Sequence, residues 1–208
     1  MPDTANLLAF IAASALLGIT PGPDIIYVVM RGAAQGPRAG LAAAAGLCTG
    51  IVGHIALCAA GLSAIIAGSA TAFTVIKIAG AAYLVWLGIA LWRSRGGIDL
   101  SGNATVQPIA GIYRQSIVMN LLNPKVALFF LAFLPQFVTP DGAPVALQLA
   151  VLGLIFMAVS FVVMGAAGLA GGQVRRLLAR NDRAGRWLER GAGTVLIALG
   201  LRLAAQDP

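Results

Sequence analysis

Charged residues are scarce in this chain. Only 10% of its 208 residues are charged, whereas 59% are hydrophobic and the mean hydropathy is +0.90. A soluble domain carries about 25% charged residues, so this composition excludes a protein covered by water and predicts an integral membrane protein solvated by the lipid bilayer. At roughly 20 residues per crossing, the length allows about five to seven helices in one membrane domain and leaves no room for a soluble enzyme module.

Catalytic and redox motifs are also missing. The sequence contains no HExxH, GxSxG or P-loop pattern, so we predict that the protein is not an enzyme and needs no cofactor. Without a nucleotide site, active transport must draw on an ion gradient, and protons are the simple choice. The two cysteines, Cys48 and Cys58, form no CxxC pair and are interpreted as small core residues. The first four residues lack the positive charge of a cleaved signal, so we expect the first apolar run to remain as a helix.

Six apolar runs predict an all-α protein with six transmembrane helices. They cover residues 7–20 continued by 25–30, 39–66, 73–92, 112–138, 145–170 and 192–205. We expect one transporter domain over 1–208, with three helices in 1–92, three in 108–208 and a cytoplasmic linker at 93–107. The spaced glycine pairs Gly36/Gly40 and Gly46/Gly50 predict close helix packing.

Basic residues are unevenly distributed between the two sides of the predicted membrane domain. Eleven of the 14 Lys and Arg residues follow the first, third and fifth runs, and six of them lie in the connector 173–190. By the positive-inside rule these connectors are cytoplasmic, which places both termini on the opposite, periplasmic side. The net charge of +7 is therefore interpreted as a determinant of topology, with no nucleic acid as partner.

Two of the six predicted helices are interrupted by proline next to a charged residue. The interruptions are Pro21-Gly22-Pro23-Asp24 in the first helix and Asn123-Pro124-Lys125 in the fourth. Because three is an odd number, two sets of three helices can repeat only in inverted orientation, and paired breaks in such repeats point to a transporter binding site. Opened backbone groups bind a zwitterion well, because helix N-termini attract a carboxylate and freed carbonyls attract an ammonium. The alternative is a structural kink without a ligand.

Asp24 is the central candidate of this predicted site. A carboxylate near the membrane centre costs about 2.5–3.5 kcal/mol, so it needs a partner or a water-filled cavity. It could bind a substrate ammonium or carry a coupling proton, or it could lie near one interface; an Asp24–Lys125 pair is a further hypothesis. The amides of Asn120 and Asn123 could bind an amino acid or another helix, and His54 could relay protons or pack. The candidate substrate-binding or ion-coupling residues are Thr20, Pro21, Gly22, Pro23, Asp24, His54, Asn120, Asn123, Pro124 and Lys125.

These segments resemble the LysE/RhtB family of amino-acid exporters. The matching motifs lie within 20–24, 31–54, 77–88, 120–125 and 129–137. They cover most of residues 17–138 in the family's order, which is highly specific; the last 70 residues match only in hydropathy and in the basic connector. It implies a bacterial inner-membrane exporter of amino acids or close derivatives that works by proton antiport, with the two broken helices near the substrate. A threonine- or homoserine-like substrate is favoured, and a homo-oligomer is left open.

Two other functions compete with amino-acid export. The wider superfamily includes proposed exporters of heavy-metal cations, and Cys48, His54, Cys58 and Asp24 are residue types that bind such metals, with His54 and Cys58 four residues apart on one helix face. The second alternative is a membrane-embedded thiol redox carrier that uses the two cysteines.

Overall fold

Helices make up most of the part of the chain that the structure describes, and that part contains no strand. The computed structural model describes residues 4–62, 70–93, 106–139, 142–180 and 182–205. Within these residues the helices are α1 (Thr4–Ile19), α2 (Pro23–Gln35), α3 (Pro37–Leu57), α4 (Ala70–Arg93), α5 (Ile109–Leu121), α6 (Pro124–Leu128), α7 (Val145–Leu169), α8 (Gly171–Arg180) and α9 (Asp182–Ala205). Helix α3 continues into a π turn at Cys58–Leu62, and α6 continues through Phe129–Phe133 and Leu134–Phe137.

Two pairs of consecutive helices are sharply bent. The chain bends by 60° between α1 and α2, and by 47° between α5 and the segment that begins with α6. Pro23 and Pro124 each occupy the first turn of the second helix of a pair, where a residue without a backbone N–H can begin a helix but could not continue one. Each bend therefore follows from a proline that starts a new helix.

Two helices among the described residues are long and apolar enough to cross a membrane. These are Pro37–Gly61 and Val145–Leu169, and the number rises to four if each bent pair crosses the membrane as one span. The predicted linker falls mostly on residues 94–105, which lie outside the described residues, as do 63–66 and the turn residues 140 and 141.

The basic segment 173–190 differs from the predicted connector. It is helical as α8 and as the first part of α9, and α9 begins at Asp182, ten residues before the apolar run at 192. Arginine, alanine and leucine are strong helix formers, so a segment too polar for the membrane interior can still continue a helix. The α9 helix is therefore 24 residues long.

Helix α3 lies at the centre of the packing. It contacts α5 on one side and α7 on another, while α4 and α9 pack mainly on each other and α1 packs on α7. Phenylalanines join α1, the segment after α6, and α7: Phe10 lies 5.1 Å from Phe137 and Phe129 lies 4.8 Å from Phe156, measured between ring centroids. These contacts hold both bent pairs against the same core.

Glycines allow the closest of these contacts. A Cβ on Gly40 would lie 2.7 Å from the backbone carbon atoms of Gly168, so α3 and α7 meet backbone to backbone. Gly46 and Gly50 face α5 in the same way. Gly36 was wrongly predicted to belong to a packing face: it has a φ of 87° and no atom within 4 Å of its Cβ position. It is needed for the left-handed backbone between α2 and α3.

A larger residue at position 40 should destabilise this arrangement. We expect Gly40→Val to lower the free energy of unfolding by about 1–3 kcal/mol, because the new side chain must separate α3 from the Gly168 backbone. Thermal denaturation of the purified protein in detergent measures the change. Gly172→Ala is the control, since nothing lies within 4 Å of its Cβ position; equal stability of the two variants would contradict the close contact.

Candidate functional site

Lys125 joins the two bent helix pairs. It lies in the first turn of α6, its side chain is buried, and its Nζ donates hydrogen bonds to the carbonyls of Leu17 and Thr20, both at 3.3 Å. The Leu17 carbonyl would normally accept from residue 21 in an unbroken helix, but Pro21 has no N–H to donate. The ammonium therefore satisfies backbone oxygens that the break in the first pair leaves without partners.

Asp24 makes the corresponding contact from the first bent pair to the second. It lies in the first turn of α2 and is only 1% exposed, and its Oδ2 accepts a hydrogen bond from Nδ2 of Asn120 at 3.4 Å. Asn120 lies in the last turn of α5 and is fully buried. The start of each second helix thus contacts the end of the first helix in the other pair. The N-terminus of α2 also favours a negative charge at Asp24.

A small cavity lies between these groups. Its volume is about 10 Å³, which is near the minimum that holds one water molecule, so the site is closed in this conformation. Asp24 and Lys125 both line it, and their charges interact electrostatically. The full lining consists of Leu17, Gly18, Asp24, Ile51, Asn120, Lys125, Val126, Phe156, Ser160 and Met164.

Several buried polar atoms in and beside this cavity have no partner in the protein. They are Oδ1 of Asn120, Oγ of Ser160, Oδ1 of Asp24 and Nδ2 of Asn123; the Asn123 side chain lies beside the Asp24 carboxylate without forming a hydrogen bond of good geometry. Buried polar groups are nearly always hydrogen-bonded, so such a cluster of free donors and acceptors indicates a polar ligand. The carboxylate oxygen accepts from an ammonium, and the lysine ammonium donates to a carboxylate. The site can therefore bind a small molecule that carries both charges.

The other predicted residues shape the site from outside the cavity. The Thr20 hydroxyl donates to the Leu16 carbonyl at 2.6 Å, so this residue contacts Lys125 through its backbone. Asn123 caps α6, because its Oδ1 accepts from the backbone N–H of Lys125 at 2.9 Å. A Cβ on Gly22 would lie 3.2 Å from the Lys125 Nζ, so glycine there lets the ammonium approach. Pro23 and Pro124 are exposed and act through the backbone.

His54 holds the end of α5 and does not line the cavity. Its Nε2 forms a hydrogen bond of 3.0 Å with the carbonyl of Asn120, and its ring lies 5.8 Å from that of Phe130. Gly50, one turn earlier on α3, leaves room for the same asparagine, since a Cβ there would lie 2.7 Å from the Cβ of Asn120. The position of the Asn120 amide thus depends on two residues of α3.

The cysteines do not assemble with other metal-binding side chains. Cys58 donates to the Phe130 carbonyl at 3.3 Å, and Cys48 lies 3.8 Å from the Met157 carbonyl that it faces. Among the described residues no group of three or more His, Cys, Asp or Glu side chains could hold a metal ion. The geometry gives no support to metal export through these residues.

Sequence reasoning missed Ser160 and the apolar wall around it. Ser160 is buried in α7 and lines the cavity between Phe156 and Met164. The sequence gives a weak indication of Ser160, because Gln148 and Ser160 are the two polar side chains in the 25 residues of α7.

Comparison with known proteins places these residues in a family context. The family model described as "LysE type translocator" matches residues 15–207. The chain is 36% identical over 200 residues to the homoserine/homoserine lactone efflux protein of Salmonella typhimurium, covering 95% of each chain. It is 29% identical over 203 residues to the leucine efflux protein of Klebsiella pneumoniae, covering 96% of this chain and 94% of that one. No solved structure matches the chain.

The electrostatic link between Asp24 and Lys125 should appear as non-additive stability. Lys125→Met removes the nearby countercharge of the buried Asp24 carboxylate and the hydrogen bonds to the Leu17 and Thr20 carbonyls, so we expect it to lower the free energy of unfolding. The double variant Asp24→Asn/Lys125→Met should lose less stability than the two single variants together. Thermal denaturation in detergent measures all three, with Arg114→Met, an exposed cation on α5, as the control. Strictly additive losses would contradict the link.

Proposed function

The chain belongs to the family of LysE type translocators, and on that premise we propose that it exports amino acids across the bacterial inner membrane. The observation that carries this proposal is the pair of opposite charges in one closed cavity, Asp24 and Lys125, with free polar atoms on Asp24 and Asn120. An amino acid is a small zwitterion, and it would place its ammonium at Asp24 and its carboxylate at Lys125. The names of the two efflux relatives support this substrate class.

Homoserine and its close derivatives are the substrates we propose first. The relative named for homoserine and homoserine lactone efflux is more similar to this chain, at 36% identity, than the relative named for leucine efflux, at 29%. The cavity agrees with a polar substrate, because Asn120 and Ser160 add neutral hydrogen-bonding groups to an otherwise apolar wall.

Substrate entry would exchange one ammonium for another. In the closed structure the Lys125 ammonium is held by the Leu17 and Thr20 carbonyls. The amino group of a substrate has the same charge and the same donors, so it would take over these carbonyls and Asp24 while Lys125 turns to the substrate carboxylate. The cavity, now about 10 Å³, would have to widen as the helix ends separate.

Proton antiport follows if Asp24 binds either a proton or the substrate ammonium, but not both at once. A protonated Asp24 offers no negative charge to a substrate ammonium, and an ammonium bound there opposes protonation. The two would therefore alternate, which couples inward movement of a proton to outward movement of an amino acid. This coupling is part of our proposal.

The arrangement of helices supports an inverted repeat of three helices over residues 1–92 and three over 108–208. Helix α3 packs on α7 and α4 packs on α9; α1 packs on α7 while α5 packs on α3. Contacts of this kind arise when one half is related to the other by a twofold axis. We propose six membrane crossings with both termini on the periplasmic side, as the distribution of Lys and Arg favours.

Efflux from vesicles preloaded with an amino-acid panel tests the function. We expect release of homoserine or another small amino acid that depends on an imposed proton gradient, and loss of that release in Asp24→Asn, because the ammonium loses its countercharge. Glu189→Gln removes a buried carboxylate of α9 outside the cavity and should retain release. Vesicles that release no amino acid but do release a heavy-metal cation would overturn the proposal.

Displacing Asn120 from α3 should slow transport. Gly50→Ala would push the Asn120 amide away from Asp24, and a displacement of about 1 Å in a site can lower a rate by up to about 100-fold. Initial efflux rates in the same vesicles measure the effect. Gly111→Ala is the matched control, since the nearest atom to its Cβ position, Cδ of Pro108, is 3.8 Å away. An unchanged rate in Gly50→Ala would show that the position of Asn120 is unimportant.

A further inference from the structure

Ser160 stands apart from other hydroxyl-bearing residues of this protein. The hydroxyls of Ser14, Thr20 and Ser116 each donate to the carbonyl four residues earlier, at 2.7, 2.6 and 2.8 Å, which is the usual arrangement of such residues in helices. Ser160 is 1% exposed, yet its Oγ has no hydrogen-bond partner in the protein. Its hydroxyl is therefore buried without being used by its own helix.

The surroundings of Ser160 define what this hydroxyl faces. Phe156, Ser160 and Met164 are spaced four residues apart on α7, so they lie on one helix face, and all three line the cavity of Asp24 and Lys125. Ile51 of α3 lines the same cavity. The site thus has two charged groups, which suit the ammonium and carboxylate common to all amino acids, and an apolar wall interrupted by one unpartnered hydroxyl.

We propose that Ser160 is the residue that selects the substrate side chain, by hydrogen bonding to an oxygen on a short side chain such as an alcohol. This inference rests on the proposed function and deepens it. A hydroxyl both donates and accepts, so Ser160 can pair with a substrate alcohol in either role. An apolar side chain of the same size would leave the buried hydroxyl unpaired, and a site of this kind discriminates against such a ligand.

Homoserine and norvaline make the matched pair of probes, because their side chains have the same length and differ by a hydroxyl in place of a methyl. The experiment measures initial efflux rates of both from preloaded vesicles and takes their ratio. We expect the wild-type protein to prefer homoserine and Ser160→Ala to lower the ratio about 3–10-fold, which is the change for one neutral hydrogen bond. The norvaline rate should stay equal or rise.

Ser116→Ala is the matched control, since Ser116 is an equally buried serine whose hydroxyl bonds within its own helix; it should leave the ratio unchanged. An unchanged ratio in Ser160→Ala, or an equal loss of both substrates, would overturn the assignment while leaving the exporter function intact. If the wild-type protein released no amino acid of the whole panel, the proposed function itself would fail, and this inference with it. The two failures are therefore distinguishable.

Discussion

The hydrogen bonds from Lys125 to the Leu17 and Thr20 carbonyls are the interaction on which the rest of this structure depends. Pro21 deprives the Leu17 carbonyl of its helical partner, and an unpaired backbone group in an apolar medium costs several kcal/mol. The ammonium of Lys125 is equally costly to bury alone. The ammonium at the second break thus binds the carbonyls that the first break leaves free, and neither group would be stable in the membrane interior without the other.

This arrangement also explains why the site is both closed and polar. Asp24 and Lys125 follow their prolines directly, so their charges lie at the start of helices and at the crossing of the two bent pairs. Packing of phenylalanines around Phe129 and backbone contact at Gly40 hold the crossing together from outside. A substrate with an ammonium and a carboxylate can replace the internal interactions group for group, which makes opening of the cavity compatible with a buried, charged site.

The residues of this site were easier to predict from the sequence than the contacts between them. Proline beside a charged residue in an apolar run is visible at once, so Asp24 and Lys125 could be found by local reasoning. That Lys125 binds backbone carbonyls of α1, more than 100 residues away in the chain, depends on helix packing that no local pattern encodes. Ser160 was missed because most membrane serines bond to their own helix, and the basic segment 173–190 was predicted to be a connector because its charge obscured its helix propensity. The role of Gly36 is set by its φ of 87°, which a spacing rule does not reveal.

The most direct test of this account is a crystal structure with homoserine bound. We expect homoserine to lie between Asp24 and Ser160, with the Lys125 ammonium moved from the Leu17 and Thr20 carbonyls to the substrate carboxylate. Homoserine bound elsewhere would contradict it, for example in the groove of about 430 Å³ between α3 and α7 that Thr49 and Phe161 line, with Lys125 still on the two carbonyls.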